Sequence, residues 1–242
     1  SVRSKLGGCP HLPPGVEWPE WKGAPLAFLA QIELSELPDP SPIEGMPRGG
    51  RLFFFYEQEQ STWGFDPADL GSWRVLHDPS EILSEPTEPP DELPEGMTFP
   101  ERKLAFKPIT TYPSLERLSE AYPFDGDDEL YDAVDALNSE VFQDAPKHQI
   151  GGYPTPVQGD TMELECQLVS NGIYCGDPSG YRDPRVDALS EGVSDWKLLL
   201  QLDSDDDLDV MWGDCGLVYF WIKEQDLKKA DFSKVWMILQ CS

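Results

Sequence analysis

Two apolar runs, residues 198–202 and 217–222, flank an acidic loop and a Gly-Asp-Cys-Gly turn in the stretch WKLLLQLDSDDDLDVMWGDCGLVYFWI at 196–222. Short runs rich in Leu, Val and aromatics, bounded by turn formers, read as buried β-strands, although a core helix of the same length shares the pattern. The same reading predicts strands over 25–37 (PLAFLAQIELSEL), 50–57 (GRLFFFYE) and 73–77 (WRVLH), with a return to a strand over 104–109. Residues 114–122 and 125–143 read as helices. In the second, Leu130, Val134, Leu137 and Val141 recur at helical spacing. Asp125, Asp127 and Asp128 stand where a helix N-terminus favours negative charge. Residues 78–101 hold eight acidic side chains, several prolines and no Lys or Arg, the composition of a solvated linker with little reason to pack.

From Gln149 onward the words of the first part return in the same order. Leu6-Gly7-Gly8-Cys9-Pro10 matches Ile150-Gly151-Gly152-Tyr153-Pro154, and Phe28-Leu29-Ala30-Gln31-Ile32 matches Leu198-Leu199-Leu200-Gln201-Leu202. Gly50-Arg51-Leu52-Phe53-Phe54 matches Gly216-Leu217-Val218-Tyr219-Phe220, and Asp69-Leu70 matches Asp226-Leu227. Trp73-Arg74-Val75-Leu76-His77 matches Trp236-Met237-Ile238-Leu239-Gln240. Ordered repetition of this kind decides architecture. The expectation is an α+β domain of mostly antiparallel sheets, spanning the whole chain and built by internal duplication. Half-unit 1 covers about 6–77, the acidic linker 78–101 and half-unit 2 about 102–242. A small sheet alone leaves an apolar face wet, so the two half-units are expected to share one core.

Eight Trp, eight Tyr and eleven Phe supply bulky core material, while 24 Pro and 20 Gly imply many turns. Forty-five acidic against eighteen basic residues leave a net charge of −27. Such a field repels nucleic acid and anionic lipid and favours a basic protein as partner, or serves solubility alone. The five cysteines are scattered and include no Cys-x-x-Cys, which fits a reducing compartment. Cys166 and Cys175 are near enough in sequence to bond if they face each other across a hairpin, but nothing requires it. No run approaches the length of a membrane span, and the opening SVRSKLGG has no apolar signal core. A cytoplasmic protein is expected, and the start at Ser1 rather than Met leaves room for an upstream segment.

Gln31 and Gln201 interrupt apolar runs at equivalent places. A buried amide needs partners, so each either ties down backbone, such as its own Gly-Gly-x-Pro loop, or lines a ligand cleft at the junction of the halves. His148, with Tyr153 and Asp160 close by, is a further pocket candidate. Asp203, Asp205, Asp207 and Asp209 alternate like the first half of a calcium loop, and Asp214 falls at its twelfth position. Leu208, however, replaces the required Gly, Asp replaces the closing Glu, and a strand rather than a helix precedes. An exposed acidic loop is the expectation over a cation site. The Gly-Gly pairs lack the context of nucleotide loops, and His11 near Cys9 lacks a second ligand pair. No nucleophile, zinc or acid–base motif occurs, so an enzyme ranks last. Trp18, Trp21, Trp63 and Trp212 are candidate anchors for a partner.

The stretches His148 to Pro154, Leu198 to Asp205, Met211 to Gly216, Tyr219 to Ile222 and, in the first half, Pro25 to Ile32 resemble the YwqG-like family. The resemblance runs through nearly the whole chain except the acidic linker. It implies a bacterial α+β domain with an internal duplication and offers no catalytic residue to transfer. The company some members keep with secreted-toxin systems implies an immunity or toxin-neutralising role. The leading expectation is therefore an interaction module for another protein. The alternative is a small-molecule or divalent-cation binder using the cleft between halves, lined by Gln31, His148, Gln201 and Asp214.

Overall fold

A computed structural model describes residues 3–121, 128–143 and 145–242. Its first sheet contains β1 (Lys5–Leu6), β4 (Ala27–Glu33), β5 (Arg51–Tyr56), β6 (Trp73–Asp78) and β7 (Arg102–Lys103), in the order β6-β5-β4-β1-β7. All of its pairings are antiparallel. A small hairpin, β2 (Glu20–Trp21) with β3 (Ala24–Pro25), precedes β4. The second sheet is an antiparallel meander of β8 (Trp196–Asp203), β9 (Leu217–Lys223) and β10 (Trp236–Gln240). Helices α1 (Leu115–Ala121), α2 (Asp128–Phe142), α3 (Met162–Val169) and α4 (Val186–Leu189) lie between the sheets in sequence, and α5 (Glu224–Lys228) joins β9 to β10. The fold is α+β. Among the described residues, no helix is long and apolar enough to cross a membrane.

The unbroken apolar run in β5 follows from burial on both faces. Leu52, Phe54 and Tyr56 join the main core, while Phe53 and Phe55 alternate to the other side and pack with Leu12, Leu26 and Phe28 under Trp18 and Trp21. The two sheets meet through Phe54 against Phe220 (ring centroids 5.1 Å apart) and Trp73 against Trp236 (4.9 Å). Helix α3 packs on β8 and β10, and its Gln167 Oε1 accepts the Trp196 indole N–H at 3.0 Å.

The two meanders share a local irregularity. β4 bulges against β5 between Phe28 and Ala30, and β8 bulges against β9 between Leu198 and Leu200. The extra residues, Leu29 and Leu199, are both buried in the main core. Gln31 then faces Phe53, and Gln201 faces Tyr219, as the sequence match requires. The third strands differ from that match by one residue, since Phe53 faces Leu76 while Tyr219 faces Ile238. What aligns the two tryptophans is their contact with each other across the halves. Trp73 donates its indole N–H to Val235 O and Trp236 donates to Gly64 O, each at 2.8 Å.

The segment after β6 packs, contrary to the solvated linker expected over 78–101. Its charged side chains stay largely exposed, but Leu93 is buried and Phe99 lies against the core. Backbone bonds fix its path: Gly8 N to Phe99 O (2.8 Å) and Thr87 N to Pro10 O (2.7 Å). The segment ends in β7, which pairs with β1, so the first sheet reaches past residue 101. Residues 104–109 form no strand. β1 is two residues long, and after the bond from Leu104 N to Ser4 O the backbone offers no further partner edge. The two predicted helices are present as α1 and α2. Val134 is buried and Leu137 is exposed. Residues 122–127, with Asp125 and Asp127, and the side chains of Asp128 and Leu130 lie outside the described part.

Candidate functional site

Gln31 and Gln201 do the same job in the two halves. Gln31 Oε1 accepts from His11 N (2.9 Å) while its Nε2 donates to Arg3 O (2.9 Å). Gln201 Oε1 accepts from Thr155 N (2.8 Å) while its Nε2 donates to Lys147 O (2.7 Å). Each amide thus ties a bulged strand to the loop that carries its Gly-Gly pair. The neighbouring contacts match as well: Lys5 Nζ reaches Cys9 O (2.5 Å), and Gln149 Nε2 reaches Tyr153 O (2.8 Å). Both pairs of glycines are left-handed, with φ of +60° and +68° at Gly7 and Gly8 and +69° and +76° at Gly151 and Gly152. The idea that Gln31 and Gln201 line a ligand cleft gives way to this bracing role. Both are fully buried and bonded at each end of the amide.

His148 organises the acidic loop. Its Nδ1 accepts the Asp203 N–H (3.1 Å), which leaves the proton on Nε2, 3.1 Å from Asp205 Oδ2. Asp203 Oδ2 accepts from Lys147 N (2.9 Å), and Asp205 Oδ1 accepts from Asp207 N (2.8 Å) in a local turn. Asp214 is exposed, and its carbonyl takes the Ser242 N–H. Two carboxylates of the sequence-predicted cation loop, Asp203 and Asp205, are thus engaged by backbone N–H groups and His148, and among the described residues no three His, Cys, Asp or Glu side chains gather as a metal site. A cavity of about 890 Å³ does lie between parts of the two halves, but Gln31, His148, Gln201 and Asp214 do not line it, whereas Tyr153 and Asp160 do.

The cysteines are free thiols. Cys166 and Cys175 do not flank a hairpin, since Cys166 sits on α3. Burial pushes Cys166 far up and Cys175 up to about 12, so neither is a thiolate nucleophile at neutral pH.

The clearest surface feature forms where three segments without a single Lys or Arg converge: 57–70, 78–101 and 203–216. Gln60 stitches two of them, its Nε2 donating to Met211 O (3.0 Å) and its Oε1 accepting from Gly213 N (2.9 Å). The third joins through Phe99, whose ring centroid lies 6.1 Å from that of Trp212. Pro94 and Met97 share with Gln58, Glu59, Gln60 and Gly213 a depression of about 490 Å³. Trp63, with its N–H held by Gln60 O at 3.2 Å, and Met211 stand in these segments 38 % and 53 % exposed. In the same three segments Glu59, Asp91, Glu92, Glu95, Asp209 and Asp214 face solvent. An exposed amphipathic ring and a flexible thioether on segments that carry exposed carboxylates and no Lys or Arg are chemistry for holding a cationic, partly apolar surface.

Of the four tryptophans singled out from the sequence, Trp63 alone is exposed here. Trp212 is buried with its N–H on Asp203 O (3.1 Å), and Trp18 and Trp21 cover the outer face of the first sheet. Met211 and Gln60 were not singled out. Their signal is the shared absence of basic residues in the three segments, which becomes one feature only once the fold joins them. A comparison with curated proteins returns no match. With every described strand inside the matched span, residues 4–241, the chain belongs to the family described as a domain of unknown function, DUF1963.

Proposed function

We propose that this protein is an interaction module that captures a basic protein through the acidic face around Trp63 and Met211. The observation that carries the reading is the joining of three base-free segments, two of which carry the exposed Trp63 and Met211. Complementary charge speeds encounter and fixes orientation, while a central aromatic supplies most of the affinity when it is buried by the partner. The motifs named above resemble the YwqG-like family, and that resemblance supports a bacterial, cytoplasmic protein with an immunity or toxin-neutralising role. The repeated glutamine brace supports descent of the two halves from one doubled segment.

A panel of fluorescent peptides matched in length but graded in charge and aromatic content tests the reading. Cationic peptides should bind, and raising salt from about 25 to about 250 mM should weaken them by about tenfold or more as the Debye length contracts. Binding that ignores both peptide charge and salt overturns it. A second reading, a small-molecule binder using the space between halves, is favoured by the 890 Å³ cavity. Its divalent-cation form finds no donor set among the described residues.

A further inference from the structure

The methionines of the chain are Met46, Met97, Met162, Met211 and Met237. Met46, Met162 and Met237 are buried in the main core, and Met97 is half-buried. Among them only Met211 is exposed, at 53 %.

The backbone on either side dictates that exposure. Val210 and Trp212 stand in isolated bridges to Asp205 and Gly216, and both are buried. In an extended stretch the residue between two inward side chains points outward. Asp205 N donates to Val210 O (2.9 Å) and Val210 N to Asp205 O (3.2 Å), while Trp212 N donates to Ser204 Oγ (2.9 Å). Gln60 then holds Met211 O and Gly213 N. A thioether is thus fixed in solvent in a loop that also exposes Asp206, Asp207, Asp209 and Asp214.

An uncovered thioether is the methionine that a peroxide reaches first. Its sulfur lone pair attacks one peroxide oxygen, the O–O bond breaks, an S=O bond forms, and the second oxygen leaves as water after proton transfer. Sulfur is oxidised and the peroxide is reduced. Hydrogen peroxide is neutral, so the field of a chain of net charge −27 does not repel it. The sulfoxide is polar and hydrated, and a partner must strip it of water to bury it.

We infer that Met211 is an oxidation site that regulates capture at the acidic face: the thioether packs against the apolar groups of a basic partner, and the sulfoxide does not. This regulation rests on the reading of that face as a capture surface. A methionine sulfoxide reductase reverses it, oxidising a dithiol to a disulfide as the thioether returns and water is released.

The test uses the full chain carrying Cys215→Ser, which removes the exposed thiol of the same loop. The chain is treated with hydrogen peroxide, cleared of it by catalase, mapped by mass spectrometry and titrated with a cationic peptide lacking Met, Cys and Trp. Oxygen should add to Met211 first, to Met97 more slowly, and not to Met46, Met162 or Met237 while the chain is folded. Affinity should fall about fivefold in step with Met211 oxidation and return after the reductase. Met211→Leu in the same background, whatever its own affinity, should give one value before and after peroxide. Three outcomes overturn the inference and leave the acidic face standing: buried methionines oxidised as fast as Met211, affinity unchanged at full Met211 oxidation, or an equal loss in Met211→Leu. No binding of cationic peptides by the untreated chain overturns both.

Discussion

Replacing Gln201 by Leu removes a brace and leaves a shorter, apolar side chain. Two backbone groups then lose their partner, Thr155 N–H and the Lys147 carbonyl. Lys147 is exposed and its carbonyl can turn to water, but Thr155 is half-buried, so its N–H carries most of the penalty. An unpaired buried donor costs about 1–3 kcal/mol, which puts the net loss near 2 kcal/mol. For a chain of this size that corresponds to a fall of about 4–8 °C in melting temperature. Gln31→Leu orphans His11 N–H and the Arg3 carbonyl, both on half-buried residues, and should lose more, about 3 kcal/mol. The two sites share no partner, so the double variant should show the sum. Thermal unfolding followed by circular dichroism reads the loss, and amide exchange reads its origin: His11 N–H should exchange faster only in Gln31→Leu, and Thr155 N–H only in Gln201→Leu. Melting temperatures within about 1 °C of the parent in both variants, or unchanged protection of both amides, would refute the bracing argument.

Arg51 is fully buried between Glu33 and Asp78, with Nε–Oε2 and N–Oδ2 distances of 2.9 Å each. Arg51→Met strands two buried carboxylates and should cost about 3–5 kcal/mol in denaturant unfolding. Burial holds the imidazole of His77 below its ordinary pKa of 6.5. Below that value the unfolded chain binds a proton that the folded chain resists, so stability should fall as pH drops from about 7 and level off beneath the lowered folded value. Unfolding midpoints across this range should slope less for His77→Gln than for the parent. Calcium at about 1 mM should leave the melting temperature unchanged, because Asp203 and Asp205 already serve Lys147 N, His148 and Asp207 N. A calcium-dependent rise would restore the cation loop. Trp63→Ala should leave the melting temperature nearly unchanged and cut affinity for a bound cationic peptide by about thirtyfold, read by fluorescence anisotropy.

The strands were legible because their pattern has a local cause. Leu52 to Tyr56 of β5 are apolar or aromatic on both faces since both faces are covered, and β9 shows the same run up to Ile222. Gln31 and Gln201 were legible as braced residues for a related reason, as a polar group inside such a run demands partners. What lay beyond reach was set by distant encounters. Nothing near Arg51 in sequence announces a buried cation, because Glu33 and Asp78 stand eighteen and twenty-seven residues away. The acidic segment after β6 looks unattached by composition, yet Gly8 N–H presents it with a backbone donor, Pro10 O with an acceptor, and the core with a place for Phe99. His148 and Asp205 sit fifty-seven residues apart, so their pairing shows only in the fold. The tryptophans show the limit most plainly. Trp63 and Trp212 are spelled alike, and the convergence of segments on Gln60 leaves one ring in solvent and covers the other.

Hydrogen–deuterium exchange of the full chain with a bound cationic peptide tests the acidic face most directly. The account predicts slowed exchange confined to 58–63, 94–97 and 211–213, with that protection lost in Trp63→Ala. Protection centred instead on the 10–26 loop over the first sheet, with those three segments unchanged, would contradict it.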